Sequence, residues 1–410
     1  NFLIHSKIKF LKASEKNYME KIKIIQASHS SESYSLGEGE KDLKKLVLND
    51  WPARVSKQIK KIYPEIEIEC WAPERIYKKD ESYEEYGVIF RFFPVTLSLR
   101  YALDISIPML KELKKEIEKS KKEGYKLIIH FHEVHNLHGL LIASLFKNEK
   151  VILQHHGGSW PVKHLGESKK KKWIFPFFLL GQLWENLVLK NIKYYYILSK
   201  EEMDYLKKRA PDSKIRFQTM GIEDEYFKKM NKKTARKKLK IPFNKKLILY
   251  IGKIARIKGM GFLLEAMKNM QSVELKCIGF GPEERIFKDY VKENKLENVE
   301  FLGGVFGEKK MLYLRAADAL ILPSLREGAP VTVMEALACN TPVVVSNVGG
   351  VPLMIENGRE GIIIKQKSPE EIIKGVREIL KWKNKNVRKY ADKYRWKKIV
   401  DGTIKDYMEI

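Results

Sequence analysis

The sequence has few cysteines and no apolar run long enough to span a membrane, and each lack excludes a class of protein. The three cysteines, Cys70, Cys277 and Cys339, lie far apart without a Cys-x-x-Cys spacing, so we expect neither a disulfide framework nor a zinc site. This cysteine usage favours a reducing compartment, the cytoplasm. Residues 1–18 are too charged for a signal peptide or a membrane span, and we interpret them as an N-terminal extension whose role stays open.

Several common nucleotide and metal motifs are missing as well. No Gly-x-Gly-x-x-Gly follows a predicted strand, so the dinucleotide-binding fingerprint is absent. No aspartate-rich Asp-x-Asp pattern stands where a metal-held diphosphate would need it, and no zinc-finger, homeodomain-like or RNP pattern indicates nucleic-acid binding. Acidic residues are outnumbered, 52 against 78 basic, which gives a net charge of +26. That charge favours an anionic partner such as a nucleotide diphosphate or an acidic lipid headgroup.

What the chain does contain fits a protein of two α/β domains. Its 410 residues, 44% of them hydrophobic, are too many for one ordinary core and enough to build two. Apolar runs that read as strands alternate with amphipathic helical patterns from Ile22 onward. We predict a first domain at residues 19–225, an interdomain linker at 226–245, a second domain at 246–385 and a C-terminal helix at 386–410.

Residues 323–352 read as a β–α–β unit around which the rest of the chain is arranged. A strand ends at Leu322, a polar loop follows, a helix opens at Pro330, and a second strand leads into two glycines. Proline at the first helical turn lacks only an amide that would have had no partner there. The remaining free amides and the positive end of the helix dipole suit an oxygen-rich or anionic ligand. Glu327 and Glu335 bracket this element, and two carboxylates so placed can hold two sets of hydroxyls on one ligand.

The two glutamates, the strand Thr-Pro-Val-Val from Thr341 and the turn Gly-Gly-x-Pro ending at Pro352 together resemble the signature of the retaining GT-B glycosyltransferases, of the family 4 type. The resemblance implies an α/β fold of two Rossmann-like, doubly wound parallel-sheet domains that face each other across a cleft. It also implies a C-terminal helix that crosses back to the first domain. The implied activity is that of a retaining hexosyltransferase, which moves a sugar from a nucleotide-diphosphate-sugar donor to a hydroxyl acceptor. Neither a metal nor another cofactor is expected.

The resemblance assigns a donor-diphosphate site to Lys253 and Lys258. Each lysine stands beside a glycine after a buried-type strand, where two ammonium groups can stabilise a departing diphosphate. Lysine at 253 replaces the family's arginine, which keeps the charge and gives up the bidentate fork. The alternative is that both are solvated surface lysines.

The same resemblance assigns the rest of the donor. Gly279 and Gly281 form a turn that would lie against the nucleotide base, and Glu335 would accept hydrogen bonds from the ribose hydroxyls. The sugar would be held by three residues of the loop before the helix: Glu327, which is also a catalytic candidate, Gly328 and Ala329.

Five histidines follow two neighbouring predicted strands: His130, His132, His135, His155 and His156. Strand carboxyl ends are where open α/β sheets bind their ligands. A metal site is the less favoured interpretation because the spacing is not that of a zincin helix and cysteine ligands are missing. The resemblance places a histidine of this position against the transferred sugar, with His156 as the catalytic candidate and His155 as its substitute. A buried structural histidine is the alternative.

A basic block runs directly into aromatic residues, as in an interfacial membrane anchor. The predicted membrane-contact residues are Lys169, Lys170, Lys171, Lys172, Trp173, Phe175, Phe177 and Phe178. Pro176 and later polar residues interrupt the apolar run, so it does not span a bilayer, and residues 179–189 are interpreted as a core helix. This stretch favours a protein peripheral to the inner face of the cell membrane, with a lipid-linked or cell-surface glycan as acceptor.

Two other classes of function remain open from the sequence. One is another GT-B sugar-nucleotide enzyme, an epimerase or a phosphorylase. The other is a non-catalytic relative that binds a membrane or nucleic acid through its charge. The presence of both glutamates and both lysines favours the enzyme. The identity of the base, the sugar and the acceptor is not encoded in any of these motifs.

Overall fold

The computed structural model describes residues 22–28, 50–98, 104–133, 137–156, 183–383 and 386–410. The chain divides into two units with one large sheet each. The first unit comprises Asn1–Ile197, Glu202–Gln218 and Val400–Ile410, and the second comprises Leu198–Glu201 and Thr219–Ile399. The predicted N-terminal extension, residues 1–18, lies outside the described residues.

The first unit is built on an eight-stranded sheet. Its strands are β1 Ile22–Ala27, β2 Glu67–Glu74, β3 Glu81–Glu85, β4 Val88–Pro94, β7 Lys126–His132, β8 Val151–Gln154, β9 Tyr194–Ile197 and β10 Lys214–Phe217, with β5 Leu97–Ser98 and β6 Asp104–Ile105 forming a separate pair. The sheet order is β10-β9-β8-β7-β1-β2-β4-β3, and all pairs are parallel except the edge pair β3–β4. The central strands are buried along nearly their whole length, as is usual for strands of a parallel sheet.

Local signals place the helices of the first unit. They are α1 Trp51–Ile62, α2 Ile107–Glu123, α3 Leu137–Leu145 and α4 Lys200–Arg209, and residues 183–189 are also helical. Helix α2 begins at a Ser106 cap, whose hydroxyl accepts from the Met109 amide, and ends at Gly124 in the left-handed conformation. Serine before the first turn and glycine after the last are the caps that satisfy free helix-end groups.

The C-terminal helix, Trp396–Glu409, returns to the first unit as predicted. Its buried polar side chains bond to strands of that unit. The Tyr196 hydroxyl donates to Asp406 over 2.9 Å, and the Gln218 amide donates to the Thr403 hydroxyl over 2.7 Å. Because these groups are buried, losing either partner would leave a polar atom without a hydrogen bond.

The second unit has a six-stranded, fully parallel sheet. Its strands are β11 Lys246–Ile251, β12 Val273–Ile278, β13 Val299–Gly303, β14 Ala319–Leu322, β15 Val343–Ser346 and β16 Gly361–Ile364, in the order β13-β12-β11-β14-β15-β16. Its helices are α5 Asp224–Phe227, α6 Lys232–Leu239, α7 Met260–Met267, α8 Glu284–Glu293, α9 Gly307–Ala316, α10 Val331–Ala338, α11 Val351–Met354, α12 Pro369–Ile379 and α13 Arg388–Ala391. The predicted fold class, with two Rossmann-like parallel sheets, is confirmed.

The strand order of the second unit positions its ligand site. From β11 the chain proceeds outward to β12 and β13, and then returns to place β14 on the other side of β11. The connections therefore leave the sheet in opposite directions at the carboxyl ends of β11 and β14. Such a reversal opens the crevice where doubly wound sheets bind ligands, and the loops that follow these two strands carry Lys258 and Glu327.

The predicted linker at residues 226–245 is part of the second unit in the structure. It forms helix α6, and Arg236 on that helix is only 3% exposed. The Arg236 guanidinium donates to the carbonyls of Ala316 and Lys245 and pairs with Asp318. A buried arginine needs this many partners, and they attach the segment firmly to the sheet.

Candidate functional site

Two loops meet at the sheet reversal of the second unit. After β11, a short 3-10 turn at Arg256–Lys258 ends at Gly259, whose φ is +74°. The Leu325 amide donates to the Ile257 carbonyl over 2.9 Å. A β-carbon on Gly259 would lie 1.9 Å from the Pro323 carbonyl oxygen. Glycine therefore allows the loop after β11 to lie directly against the loop after β14.

This contact brings two predicted site residues, Lys258 and Glu327, together. The Lys258 Nζ lies 2.8 Å from Glu327 Oε1, and the Ser324 hydroxyl donates to the same oxygen over 2.7 Å. The Glu327 side chain is only 10% exposed and that of Lys258 is 25% exposed. A carboxylate with so little water around it needs charged or hydroxyl donors, and these two supply them.

The backbone of the Glu327 loop is held from the other side by the glycine pair after β15. Gly349 has a φ of +53°, and a β-carbon there would lie 1.9 Å from the Glu327 carbonyl oxygen. The Gly350 amide donates to the Gly328 carbonyl over 2.7 Å. Within the described part of the chain, the amides of Gly328 and Ala329 make no hydrogen bond. These amides remain available to a ligand next to the Glu327 carboxylate.

Helix α10 places the second glutamate. Pro330 is its N-cap residue, and Glu335 lies on its second turn with 7% exposure. The Lys310 Nζ lies 2.8 Å from one Glu335 oxygen and 2.6 Å from the other. Burial, together with the Glu335 charge, raises the pKa of the neighbouring Tyr226 hydroxyl. Glu335 is thus paired with Lys310, a residue that the sequence did not indicate.

The predicted base-binding turn is locked to the loop after β11. Gly279 has a φ of +137°, and a β-carbon there would lie 1.9 Å from the Gly252 carbonyl oxygen. The same addition at Gly281 would meet the Ile254 carbonyl oxygen at 2.2 Å. Both glycines therefore have a packing reason as well as a predicted binding role. Lys253, in the loop between, has an exposed side chain.

Two exposed aromatic rings stand beside this turn, and the sequence did not indicate them. Phe280 is 60% exposed and Phe306 is 71% exposed, and their ring centroids are 6.4 Å apart. The Phe306 carbonyl accepts from the Lys310 amide, so Phe306 lies one helical turn from the lysine that holds Glu335. The sequence does contain a signal for them: each is a large apolar residue in a glycine-containing turn. A turn that only faces solvent would usually carry polar residues there.

In the first unit, the two candidate histidines have different environments. His155 is 3% exposed, its Nδ1 pairs with Glu202, and its Nε2 lies 3.6 Å from a Glu133 oxygen. His156 is partly exposed, and its Nε2 lies 2.8 Å from His132 Nδ1. The His156 ring also meets Trp51 edge-on at 4.9 Å. His155 thus matches the structural alternative, and His156 stays the candidate that can meet a ligand.

The other predicted interactions can be located only in part. His135 and the membrane-contact stretch from Lys169 to Phe178 lie outside the described residues. No helix of the described ranges is long and apolar enough to cross a membrane. Among the same residues, no group of histidine, cysteine, aspartate and glutamate side chains has the arrangement of a metal site.

Part of the sequence matches a known protein family. Residues 231–396, which include both glutamate sites, match the sequence model of the family described as Glycosyl transferases group 1. The match covers most of the second unit and none of the first. An uncharacterized glycosyltransferase of Methanocaldococcus jannaschii is 24% identical over 283 residues, 65% of this chain and 78% of the relative. A Bacillus subtilis glycosyltransferase named for teichuronic acid biosynthesis is 32% identical over 148 residues, 35% of this chain and 36% of the relative.

A solved structure supports the fold. Anabaena HepE, in complex with UDP, superimposes with a TM-score of 0.65 at 15% identity, covering 95% of this chain and 100% of that one. The sequence matches, all to glycosyltransferases, support an enzyme that transfers a sugar from a nucleotide-sugar donor. The predicted enzyme class, a glycosyltransferase, is confirmed.

Proposed function

We propose that this protein is a group 1 glycosyltransferase that moves a sugar from a UDP-sugar to a hydroxyl of a lipid-linked or cell-surface glycan. The observation that carries the donor assignment is the contact between Lys258 and Glu327 at the sheet reversal, 2.8 Å apart and beside the free amides of Gly328 and Ala329. UDP is chosen because HepE, of the same fold, was solved with it. The acceptor class rests on the relative named for teichuronic acid biosynthesis and on the basic, aromatic stretch from Lys169 to Phe178.

In this proposal the second unit stabilises the leaving diphosphate by fixed charge. Lys258 and Lys253 face the phosphates, and preorganised donors of this kind act on charge that develops as the sugar–oxygen bond breaks. Glu327, with the Gly328 and Ala329 amides, holds hydroxyls of the sugar. Donor binding exchanges partners at Glu327, because sugar hydroxyls replace the Lys258 ammonium, which turns to the phosphates.

The remaining roles follow from position. Glu335, fixed by Lys310, accepts hydrogen bonds from the ribose hydroxyls. His156 bonds to the transferred sugar and orients it. The donor phosphate itself takes the acceptor's proton, so no side chain is assigned as general base. Membrane contact through the stretch from Lys169 to Phe178 would bring the enzyme to a lipid-linked acceptor.

Nucleotide binding and turnover test the proposed function directly. We expect UDP to raise the melting temperature more than GDP or ADP at equal concentration, because a ligand stabilises the state that binds it. The protein should also release UDP from a UDP-sugar when a glycan acceptor is present. A larger shift with GDP or ADP would overturn the choice of UDP. Turnover that needs free phosphate would indicate a phosphorylase, and conversion of the sugar without an acceptor would indicate an epimerase.

The exposed aromatic pair gives a second prediction. If Glu335 holds the ribose, we expect the base to reach Phe280 and Phe306, because Phe306 lies one helical turn from Lys310, the partner of Glu335. Replacing both with alanine should weaken UDP binding by about 5- to 150-fold, since stacking on an aromatic ring contributes about 1–3 kcal/mol per base. Calorimetry with UDP and with pyrophosphate measures this, and only UDP should be affected.

Phe243→Ala is the matched control for the aromatic pair. Phe243 belongs to the same unit and is 61% exposed, but it precedes β11 and lies at the other end of that strand from the site. We expect this variant to bind UDP as the unaltered protein does. Equal losses for UDP and pyrophosphate in the Phe280 and Phe306 variant would contradict a role in holding the base.

A further inference from the structure

We propose that Tyr407, Gln26 and His132 form a hydrogen-bonded relay that fixes which ring nitrogen of His156 carries a proton. All four residues belong to the first unit. The inference rests on the proposed function, because it concerns the hydrogen bond that His156 offers to the sugar. Tyr407, Gln26 and His132 are positioning residues, since they act through His156.

The relay is continuous from the C-terminal helix to the carboxyl end of β8. The Gln26 Nε2 donates to the Tyr407 hydroxyl over 2.9 Å, between residues 381 positions apart. Gln26 Oε1 lies 2.5 Å from His132 Nε2, and His132 Nδ1 lies 2.8 Å from His156 Nε2. Tyr407, Gln26 and His132 are at most 2% exposed. His156 is partly exposed, so the relay opens to solvent at His156.

The polarity of each bond follows from the one before it. An amide oxygen carries no proton, so His132 Nε2 must donate to Gln26. A neutral His132 then has its lone pair on Nδ1, so His156 Nε2 must donate to it. The Nδ1 of a neutral His156 is therefore an acceptor, suited to a sugar hydroxyl that donates. If the Gln26 amide had the opposite orientation, the bonds from Gln26 to His132 and from His132 to His156 would both reverse. His156 would then present an N–H at Nδ1 to the sugar.

Tyr407 and His130 hold the amide in the observed orientation. Burial lowers the pKa of His130 to about 3, so its ring is neutral. Its Nδ1 lies 2.6 Å from the Tyr407 oxygen, and in the tautomer protonated on Nε2 it accepts the hydroxyl proton. With that proton committed, the Tyr407 oxygen can only accept from Gln26, which turns the amide nitrogen toward Tyr407 and the amide oxygen toward His132. Through these hydrogen bonds, Tyr407 on the C-terminal helix influences the protonation of the candidate catalytic residue His156.

The structure offers a matched pair of variants. Tyr407→Phe removes the hydroxyl of the relay and keeps the ring. Tyr196→Phe removes an equally buried hydroxyl that bonds to Asp406 on the same helix and takes no part in the relay. Tyr407→Phe loses the hydroxyl's bonds to Gln26 and His130, and Tyr196→Phe loses its bond to Asp406. Both weaken the buried attachment of the C-terminal helix, so a purely structural effect should appear in both.

We expect Tyr407→Phe to lower kcat by about 10-fold, as is typical when a group that orients a functional histidine is lost. The donor KM should change little, because the other proposed donor contacts, those of Lys258, Glu327 and Glu335, are unchanged. Tyr196→Phe should keep kcat. Adding Gln26→Glu to Tyr407→Phe should restore at least half of kcat, because either carboxylate oxygen accepts from His132 without help from Tyr407. Equal losses in both tyrosine variants, or no rescue, would overturn the relay.

Nitrogen NMR of the unaltered protein tests the relay without relying on activity or on a variant that folds. Where the imidazoles are neutral, we expect the proton of both His132 and His156 on Nε2, and a mixture of tautomers at His156 in Tyr407→Phe. A His156 proton on Nδ1 in the unaltered protein would overturn the inference. A different outcome is that His156→Ala keeps full activity while the unaltered protein shows the expected tautomers. That result would remove the proposed role of His156 in sugar transfer and leave the relay standing.

Discussion

Replacing Lys258 with methionine is expected to lower kcat/KM for the sugar donor by about 100-fold or more, the cost of deleting one preorganised charge that faces the leaving group. Two physical effects add. The diphosphate loses the ammonium that stabilises it as it departs. The Glu327 carboxylate, 10% exposed, loses its ammonium partner and repels the incoming phosphates. Steady-state kinetics with a UDP-sugar donor measures the loss.

A second lysine controls for the general effect of removing charge from this basic protein. Lys276 pairs with Glu300 across β12 and β13, and its side chain is 17% exposed, less than that of Lys258. Lys276→Met should change kcat/KM by no more than a few-fold, because surface-type pairs between strands contribute little. Lys258→Met with turnover near that of Lys276→Met would contradict the diphosphate role.

A double variant separates the two effects of losing Lys258. Glu327→Gln keeps the shape of the side chain and removes its charge. If repulsion by an unpaired Glu327 dominates, adding Glu327→Gln to Lys258→Met should recover part of the donor affinity. If loss of the Lys258 ammonium dominates, the double variant should have a lower kcat than either single variant. The interaction between the two substitutions, read as a double-mutant cycle, decides between these cases.

The contact between Lys258 and Glu327 could be predicted from the sequence because its determinants are local. Each residue follows a strand, each stands near a glycine, and parallel strands bring their carboxyl ends to one edge. Once β11 and β14 are neighbours, the two loops must meet. Gly259, which the sequence marks only as a turn residue, is what lets them touch.

Lys310 could not be predicted for the opposite reason. It pairs with a glutamate 25 residues away on another helix, and a chain with 78 basic residues supplies a lysine near most positions. Nothing in the local pattern distinguishes Lys310 from Lys309 before it. The high lysine content also led to the prediction of a linker at residues 226–245. In the structure, the buried Arg236 attaches this segment to the second unit.

The histidine relay shows a third reason. Its members come from three strands or strand ends and from a helix near the end of the chain, and each looks ordinary in its own segment. A glutamine within an apolar strand and a tyrosine on an amphipathic helix are both compatible with packing alone. Their roles depend on strand order, because β7 lies between β1 and β8 and so stacks Gln26, His132 and His156 in sequence.

Gly349→Ala is expected to be the most damaging small substitution at the donor site. A β-carbon there would lie 1.9 Å from the Glu327 carbonyl oxygen, and the residue has a φ of +53°. The loop that carries Glu327 must move to admit the methyl group. A displacement of even about 1 Å in a positioning loop can cost on the order of 100-fold in rate. We also expect the free energy of unfolding to fall by about 2–4 kcal/mol, from left-handed strain and overpacking together.

Gly358→Ala isolates the contact from the backbone strain. Gly358 also has a positive φ, +81°, but no atom lies within 4 Å of the position of its added β-carbon. It should lose only the strain, about 1–2 kcal/mol, and keep its activity. Chemical denaturation and donor kinetics on both variants give the comparison. If Gly349→Ala behaved like Gly358→Ala, the Glu327 loop would not depend on the glycine pair for its position. A loss of activity in Gly349→Ala that far exceeds its loss of stability would identify the placement of the Glu327 loop as the element on which sugar transfer depends.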